Sequence, residues 1–222
     1  MKPNWVAEFL GTAVLVFAGC GAIIVDGISH GAISHTGVAI TFGLVVLAMI
    51  YTFGDVSGAH LNPAVTIAFW RAGRFEGQNV LPYVIAQLTG ALTGSGLLRV
   101  LFPTQSTQGA TLPSGTWYQS FILEIVLTFI LMLVILSVST GAKEKGITAG
   151  IAIGAVIALE AMFAGPISGA SMNPARSLAP AITSGNLGTV WIYLAAPVLG
   201  ALLAIPACCA VRDHGTCCTA EL

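Results

Sequence analysis

Two ten-residue stretches carry the groups most able to do chemistry: SGAHLNPAVT, beginning at Ser57, and SGASMNPARS, beginning at Ser168. Matched across them are Ser57 and Ser168, Gly58 and Gly169, Ala59 and Ala170, and the tripeptides Asn62-Pro63-Ala64 and Asn173-Pro174-Ala175. Asn is a strong helix N-cap, because its side-chain oxygen accepts a backbone N–H of the first turn. Pro suits the first helical position, where a missing N–H costs nothing. Each copy therefore reads as a loop that starts a helix at the Asn. The residues that follow, VTIAFW up to 70 and RSLAPAI up to 182, are too short and too apolar for surface helices. They read as half-helices dipping into a membrane from opposite faces, with their positive N-terminal ends meeting in the middle. If Asn62 and Asn173 spend their side-chain oxygens on capping, their amide N–H groups stay free. Two fixed donors and two positive dipole ends orient a passing oxygen atom and repel a cation or a proton. Arg176, three residues past Asn173, is the only cation within the second re-entrant element. It is expected to line the outer mouth of a pore.

The elements that must position these groups follow from hydropathy. The 222-residue chain is 56% hydrophobic and 8% charged, whereas soluble domains are about a quarter charged. Apolar stretches long enough to cross a ~30 Å hydrocarbon layer fall at about 5–25, 37–53, 81–101, 118–139, 147–165 and 189–211. The Asn-Pro-Ala copies lie outside these six spans, after the second and the fifth. A half-helix over 62–70 would be ~13 Å long at 1.5 Å per residue, so two of them fill the core. Gly90-x-x-x-Gly94 and Gly150-x-x-x-Gly154 suit close helix contacts in lipid. Lys2, Arg71, Arg74, Lys143, Lys145 and Arg212 sit at the termini and after spans two and four. The segments 26–36, 102–117 and 183–188 have no Lys or Arg. The positive-inside rule then puts both termini in the cytoplasm.

The duplication runs beyond the ten residues. Glu8 opens AEFLGTAVLVF and Glu124 opens LEIVLTFILMLV, each about fifty residues before its Asn-Pro-Ala. The chain is thus a single channel domain over 1–222 made of two three-span halves, about 5–80 and 118–211. An odd number of spans per half inverts the second half relative to the first. Irregular backbone at mid-membrane depth must be satisfied by protein groups, and Glu8 and Glu124 are placed to accept N–H groups from the two re-entrant loops. A scaffold without a pore would have no need for free donors at its centre.

Other signals bound the reading. A formal net charge of -1 leaves no basic field for nucleic acid. No nucleophile–base pair or phosphate loop is present, so neither an enzyme nor a cofactor is expected. No metal site is expected. The N-terminus mimics a lipoprotein signal ending at Phe17-Ala18-Gly19-Cys20, but Glu8 inside the run and five later spans favour a retained span. The tail Cys208-Cys209, His214, Cys217-Cys218 offers thiols to a soft metal or trivalent arsenic, to acylation beside the membrane, or to no ligand at all. His60, two residues before Asn62, is expected in the cytoplasmic vestibule. His30 and His35 are expected to be solvated in an external loop.

The paired Asn-Pro-Ala, the two buried-span glutamates, Arg176 and the six spans resemble the aquaporins, or major intrinsic proteins, over essentially the whole chain. The resemblance implies an all-α membrane fold of six transmembrane helices and two re-entrant half-helices, one pore per subunit, and a homotetramer. By offset from the two motifs it implies a four-residue selectivity filter of Phe42, Ala161, Ala170 and Arg176. Strict water channels of the family carry His at the second of these positions. Typical glycerol facilitators follow the motif Arg with Asp, where this chain has Ser177. The filter, the stretch AGPISGASMNPARSL and Tyr193-Leu194 resemble the nodulin-like intrinsic proteins of plants and their bacterial relatives, and the short termini favour a bacterial inner-membrane member. That branch implies passage of water, glycerol and neutral metalloid acids (arsenous, antimonous, boric), the alternative being a channel for water alone. Glu160 departs from the branch, whose plant members tend to have Asn there.

Overall fold

The computed structural model describes residues 2–139 and 143–211, without the side chains of 143–147. The described residues form eight helices and no strand: α1 (Pro3–Ile28), α2 (Ser34–Ser57), α3 (Pro63–Arg71), α4 (Gly77–Leu101), α5 (Trp117–Val138), α6 (Lys143–Ser168), α7 (Pro174–Ser184) and α8 (Val190–Val211). Six of them are long and apolar enough to cross a membrane. Each matches an expected span and overruns it by at most a few residues at either end, as frayed polar turns do at an interface.

The two short helices are the re-entrant pair. α3 runs nine residues and α7 eleven, so the second is slightly longer than the sequence suggests. It stops where Gly185 takes the left-handed cap conformation, φ 79°, which favours glycine. The extra turn carries Thr183, whose hydroxyl lies 2.7 Å from that of Ser95 on α4.

Helix packing repeats between the halves. α1 packs on α4, α5 on α8, and α2 crosses α6 at the centre. A Cβ on Gly90 would lie 2.2 Å from the Phe9 carbonyl oxygen, and one on Gly200 would lie 2.2 Å from that of Ile125. Gly94 sits equally tight on the Ala13 carbonyl, while Gly43 and Gly154 oppose each other's backbone across the α2–α6 crossing. Backbone against backbone leaves no flexible atom to yield. Gly90→Val and Gly200→Val are therefore each expected to cost about 1–3 kcal/mol of overpacking or more. The pair should lower the thermal midpoint of the detergent-solubilised protein by similar amounts. A tolerated valine at either place would contradict the close approach.

The buried interior is built from Ala, Val, Ile and Leu facing inward, while large apolar side chains such as Leu44, Leu81, Val100 and Leu203 are exposed along the outer surface. Apolar exposure on that scale suits lipid rather than water. Among the described residues Cys20 is a free cysteine, buried in α1. Cys208 and Cys209, at the end of α8, are disulfide-bonded. His214, Cys217 and Cys218, with the tail beyond Val211, lie outside the described residues.

Candidate functional site: a doubly capped, two-chambered passage

Each Asn-Pro-Ala loop is built by the same set of local bonds. The Asn62 backbone is extended, φ -156°, and its Oδ1 accepts the Ala64 N–H at 2.9 Å. Asn173 is likewise extended, and its Oδ1 accepts from Ala175 at 3.0 Å and Arg176 at 3.3 Å. Upstream, Gly58 and Gly169 turn the chain with φ of 81° and 85°. Ala59, Leu61, Ala170 and Met172 also hold positive φ, between 41° and 54°, a region that costs non-glycine residues energy unless the surroundings fix it.

Two buried glutamates fix it. Glu8 accepts from Ser57 Oγ at 2.7 Å, the His60 N–H at 2.9 Å, the Leu61 N–H at 2.7 Å and Gln87 Nε2 at 2.8 Å. Glu124 accepts from Ser168 Oγ and from the Ser171 and Met172 N–H groups, all at 2.8 Å. The serine hydroxyls of the repeat in turn accept the Ala59 and Ala170 N–H groups. Tyr83 and Tyr193 donate to the Ser57 and Ser168 carbonyls at 3.0 and 2.6 Å. The repeated Ser, Ala and Asn positions thus each have a bonding role, and the repeated Gly and Pro set the backbone. The bonds of Gln87 and of the tyrosine pair to the loops left no sequence signal, because these residues reach the loops from helices distant in the chain.

The two loops meet. Asn62 Nδ2 donates to the Met172 carbonyl at 2.7 Å, and Asn173 Nδ2 donates to the Leu61 carbonyl at 2.8 Å. This corrects the expectation of wholly free amide groups. An Asn amide has two N–H donors. One of each is spent locking the opposite loop, which leaves one for the cavity that both residues line. The half-helices are therefore tied to each other at the very ends where their dipoles converge.

A cavity of about 780 Å³ runs from Tyr51, Asp55, Arg74 and Ser139 past His60 and the Asn pair to Phe42, Ala161, Ala170 and Arg176. A second, of about 450 Å³, opens beyond it, with Asp26, His35, Leu112 and Pro166 in its wall. The residues common to both walls are Phe42, Ala161, Ala170 and Arg176. They come from α2, α6, the second loop and α7, and stand together between the two chambers. Arg176 is 2% exposed. Its Nη1 donates to the Gly109 carbonyl at 3.1 Å, and its guanidinium carbon lies 4.9 Å from the Phe42 ring centre, within cation–π reach.

Several contributors were invisible in the sequence. The 102–116 segment folds against the second chamber, whose wall includes Ala110 and Leu112, and there Gly109 (φ 72°) packs on Cys20 and Thr111 Oγ1 donates to Ser177 Oγ at 2.8 Å. Ser177 also pairs with the Ser171 hydroxyl. His35 is exposed, yet its Nε2 lies 2.7 Å from the Met162 carbonyl and its ring rests on Gly165. The solvated-loop expectation thus gives way to a link between α2 and α6 beside Ala161; His30 stays exposed.

At the other end His60 Nδ1 faces Thr66 Oγ1 at 3.1 Å, with the rings of Phe69, Phe75 and Tyr83 around it. Arg74 reaches the end of α5 through the Leu136 carbonyl (3.4 Å) and the Ser139 carbonyl and hydroxyl (3.2 and 2.8 Å). A cation suits a helix C-terminus. Burial lowers the Arg74 pKa from the ordinary guanidinium value. Among the described residues no cluster of His, Cys, Asp and Glu could hold a metal ion.

The same arrangement occurs in known proteins. The family model described as Major intrinsic protein matches residues 1–206. Aquaporin NIP1-1 of Zea mays is 48% identical over 198 residues, covering 89% of this chain and 70% of the relative. Nodulin-26 of Glycine max is 48% identical over 198 residues, covering 89% and 73%. Among solved structures, the aquaglyceroporin from Plasmodium falciparum superimposes with a TM-score of 0.81 at 27% identity, over 91% of this chain and 93% of that one. The converging half-helices, their glutamate anchors and a family match over nearly the whole length agree: the chain belongs to the major intrinsic protein family, the aquaporins, multi-pass membrane channels for water and small solutes.

Proposed function

We propose that this channel conducts water together with small uncharged hydroxylated solutes, including glycerol and the neutral metalloid acids arsenous, antimonous and boric acid, and excludes ions and protons. The observation that carries the reading is the sharing of Phe42, Ala161, Ala170 and Arg176 by the two cavity walls. These four are the selectivity filter. Two of them offer only a methyl group, so the ring has one aromatic face, one fixed donor and two open sides. A solute with several hydroxyls can keep hydrogen bonds to Arg176 while its carbon or metalloid face lies against Phe42 and the alanines.

Charge exclusion has its own support. Arg176 and the N-terminal ends of α3 and α7 concentrate positive potential along the path, which repels cations and hydronium. Asn62 and Asn173 each retain one N–H for an oxygen passing the centre. A proton wire through that point would need a water that accepts and donates along the axis, and the two donors turn its oxygen toward themselves.

The similarity to nodulin-like relatives and to an aquaglyceroporin structure supports the wider solute range. The distribution of Lys2, Arg71 and Arg74 supports an orientation with both termini cytoplasmic, which makes His60 and Arg74 part of the cytoplasmic vestibule. Family membership supports a homotetramer.

Stopped-flow swelling and uptake in proteoliposomes test the reading with water, glycerol, arsenous acid and sodium ion. Water, glycerol and arsenous acid are expected to pass, and sodium to be excluded. Water passing while glycerol and arsenous acid are both stopped would instead make this a water-selective aquaporin.

A further inference from the structure

Glu160 lies on α6, one residue before Ala161, and is 0% exposed. Neither of its carboxyl oxygens has a hydrogen-bond partner among the described residues, and it lines neither cavity. A buried carboxylate without donors is among the costliest groups a protein can hold. Its helix packs on α5, which carries a second fully buried carboxyl, Glu124. Two carboxyl groups that share a site cannot both stay ionised.

Glu124 is one donor short of its counterpart. Glu8 receives two bonds on each oxygen: Ser57 and His60 on Oε1, Leu61 and Gln87 on Oε2. Among the described residues Glu124 receives two on Oε1, from Ser168 and Ser171, but only that of Met172 on Oε2. The symmetry that carries Tyr83 onto Tyr193 and Gly90 onto Gly200 puts Pro197 where Gln87 stands. Proline has no side-chain donor.

We propose that Glu160, as a neutral carboxylic acid, donates the missing fourth hydrogen bond to Glu124 Oε2, directly after a rotamer change or through one water. It is thereby a positioning residue for the outer re-entrant loop. The proton stays on the Glu160–Glu124 pair, and no net charge is added to the interior. The other charged or titratable groups that act on Glu124 are Arg176 on α7 and Tyr193 on α8. The inner loop is thus anchored with the help of an amide, and the outer loop with the help of a proton. Ala170 and Arg176 both depend on that outer anchor, since the loop and the start of α7 hang from it.

The test uses the purified full-length channel and two near-isosteric variants. Glu160→Gln keeps a donor, whereas Glu160→Met removes it. If Glu160 is the donor, Glu160→Met is expected to lower the thermal midpoint by about 2–4 °C, the shift for one lost bond in a chain of this size. Glu160→Gln should rescue it. The infrared band of a protonated carboxyl should be present in the parent protein and lost in Glu160→Gln. A buried polar group with no role behaves oppositely, because replacing it by an apolar side chain of similar volume is neutral or stabilising. An unchanged or raised midpoint in Glu160→Met overturns the proposal. So does a parent protein without the protonated-carboxyl band, or a Glu160→Gln variant as unstable as Glu160→Met.

Discussion

Replacing Ala161 with histidine is expected to cut glycerol and arsenous acid permeability about tenfold or more, the scale on which a pocket separates solutes differing by a methylene or two. Ala161 faces both chambers beside Phe42, Ala170 and Arg176. An imidazole growing from α6 at that point would fill part of the opening between the chambers. It would also offer a second polar wall, which suits water and gains nothing for a bulkier solute. Water permeability should change by only about twofold, since a single oxygen still fits between two donors. Parallel swelling assays on the parent and variant, normalised to the amount of reconstituted protein, read both values. Equal solute flux before and after the change would remove Ala161 from the filter. Loss of water flux as well would mean that the ring is already as narrow as one water in the parent.

The second large effect concerns the anchors. Glu8→Ala strips the acceptor from the Ser57 hydroxyl, the His60 and Leu61 N–H groups and one bond of Gln87. Each buried donor left unpaired costs about 1–3 kcal/mol, and the strained backbone at Ala59 and Leu61 loses what holds it. A loss on the order of 5 kcal/mol is expected, which for a chain of this size lowers the thermal midpoint by about 10–20 °C. Glu8→Gln should do less damage, because the amide oxygen still accepts, though its N–H₂ then faces donors. Thermal unfolding followed by light scattering or intrinsic fluorescence ranks the three proteins. A Glu8→Ala channel as stable as the parent would show that the loops hold themselves. Glu124→Ala should fall in the same range.

These expectations divide according to how far apart the interacting residues lie. The caps at Asn62 and Asn173 act on N–H groups two and three residues away, so an Asn-Pro pair states them outright. The spans are equally legible, because crossing the hydrocarbon core needs only length and apolarity. Gly90 and Gly94 could be suspected of close contact, yet what they touch, the backbone of α1, needed the fold. Glu8 and Glu124 were legible for another reason: the duplication matched them, and a carboxyl inside an apolar run demands a partner. The fourth donor of Glu8 was not legible, since Gln87 lies 79 residues away in the chain and its symmetry mate beside Glu124 is Pro197.

His35 shows the limit most plainly. In sequence it is a polar residue in an apolar-poor loop, and nothing near it names a partner. The Met162 carbonyl it meets is 127 residues away.

The sequence by itself determined the two half-helix starts and the six spans, because each follows from local capping or hydropathy, whereas the four positions proposed for the filter came from the resemblance to a family. The tertiary structure decided how the halves close on each other. Asn62 and Asn173 give one donor each to the opposite loop, across 110 and 112 residues of chain. Gly109 takes up Arg176, and Glu160 on α6 is left fully buried with no hydrogen-bond partner among the described residues. Such pairings depend on which carbonyl or carboxyl the packing of distant helices brings within about 3 Å, and a hydrogen bond of that range leaves no period or spacing in the chain.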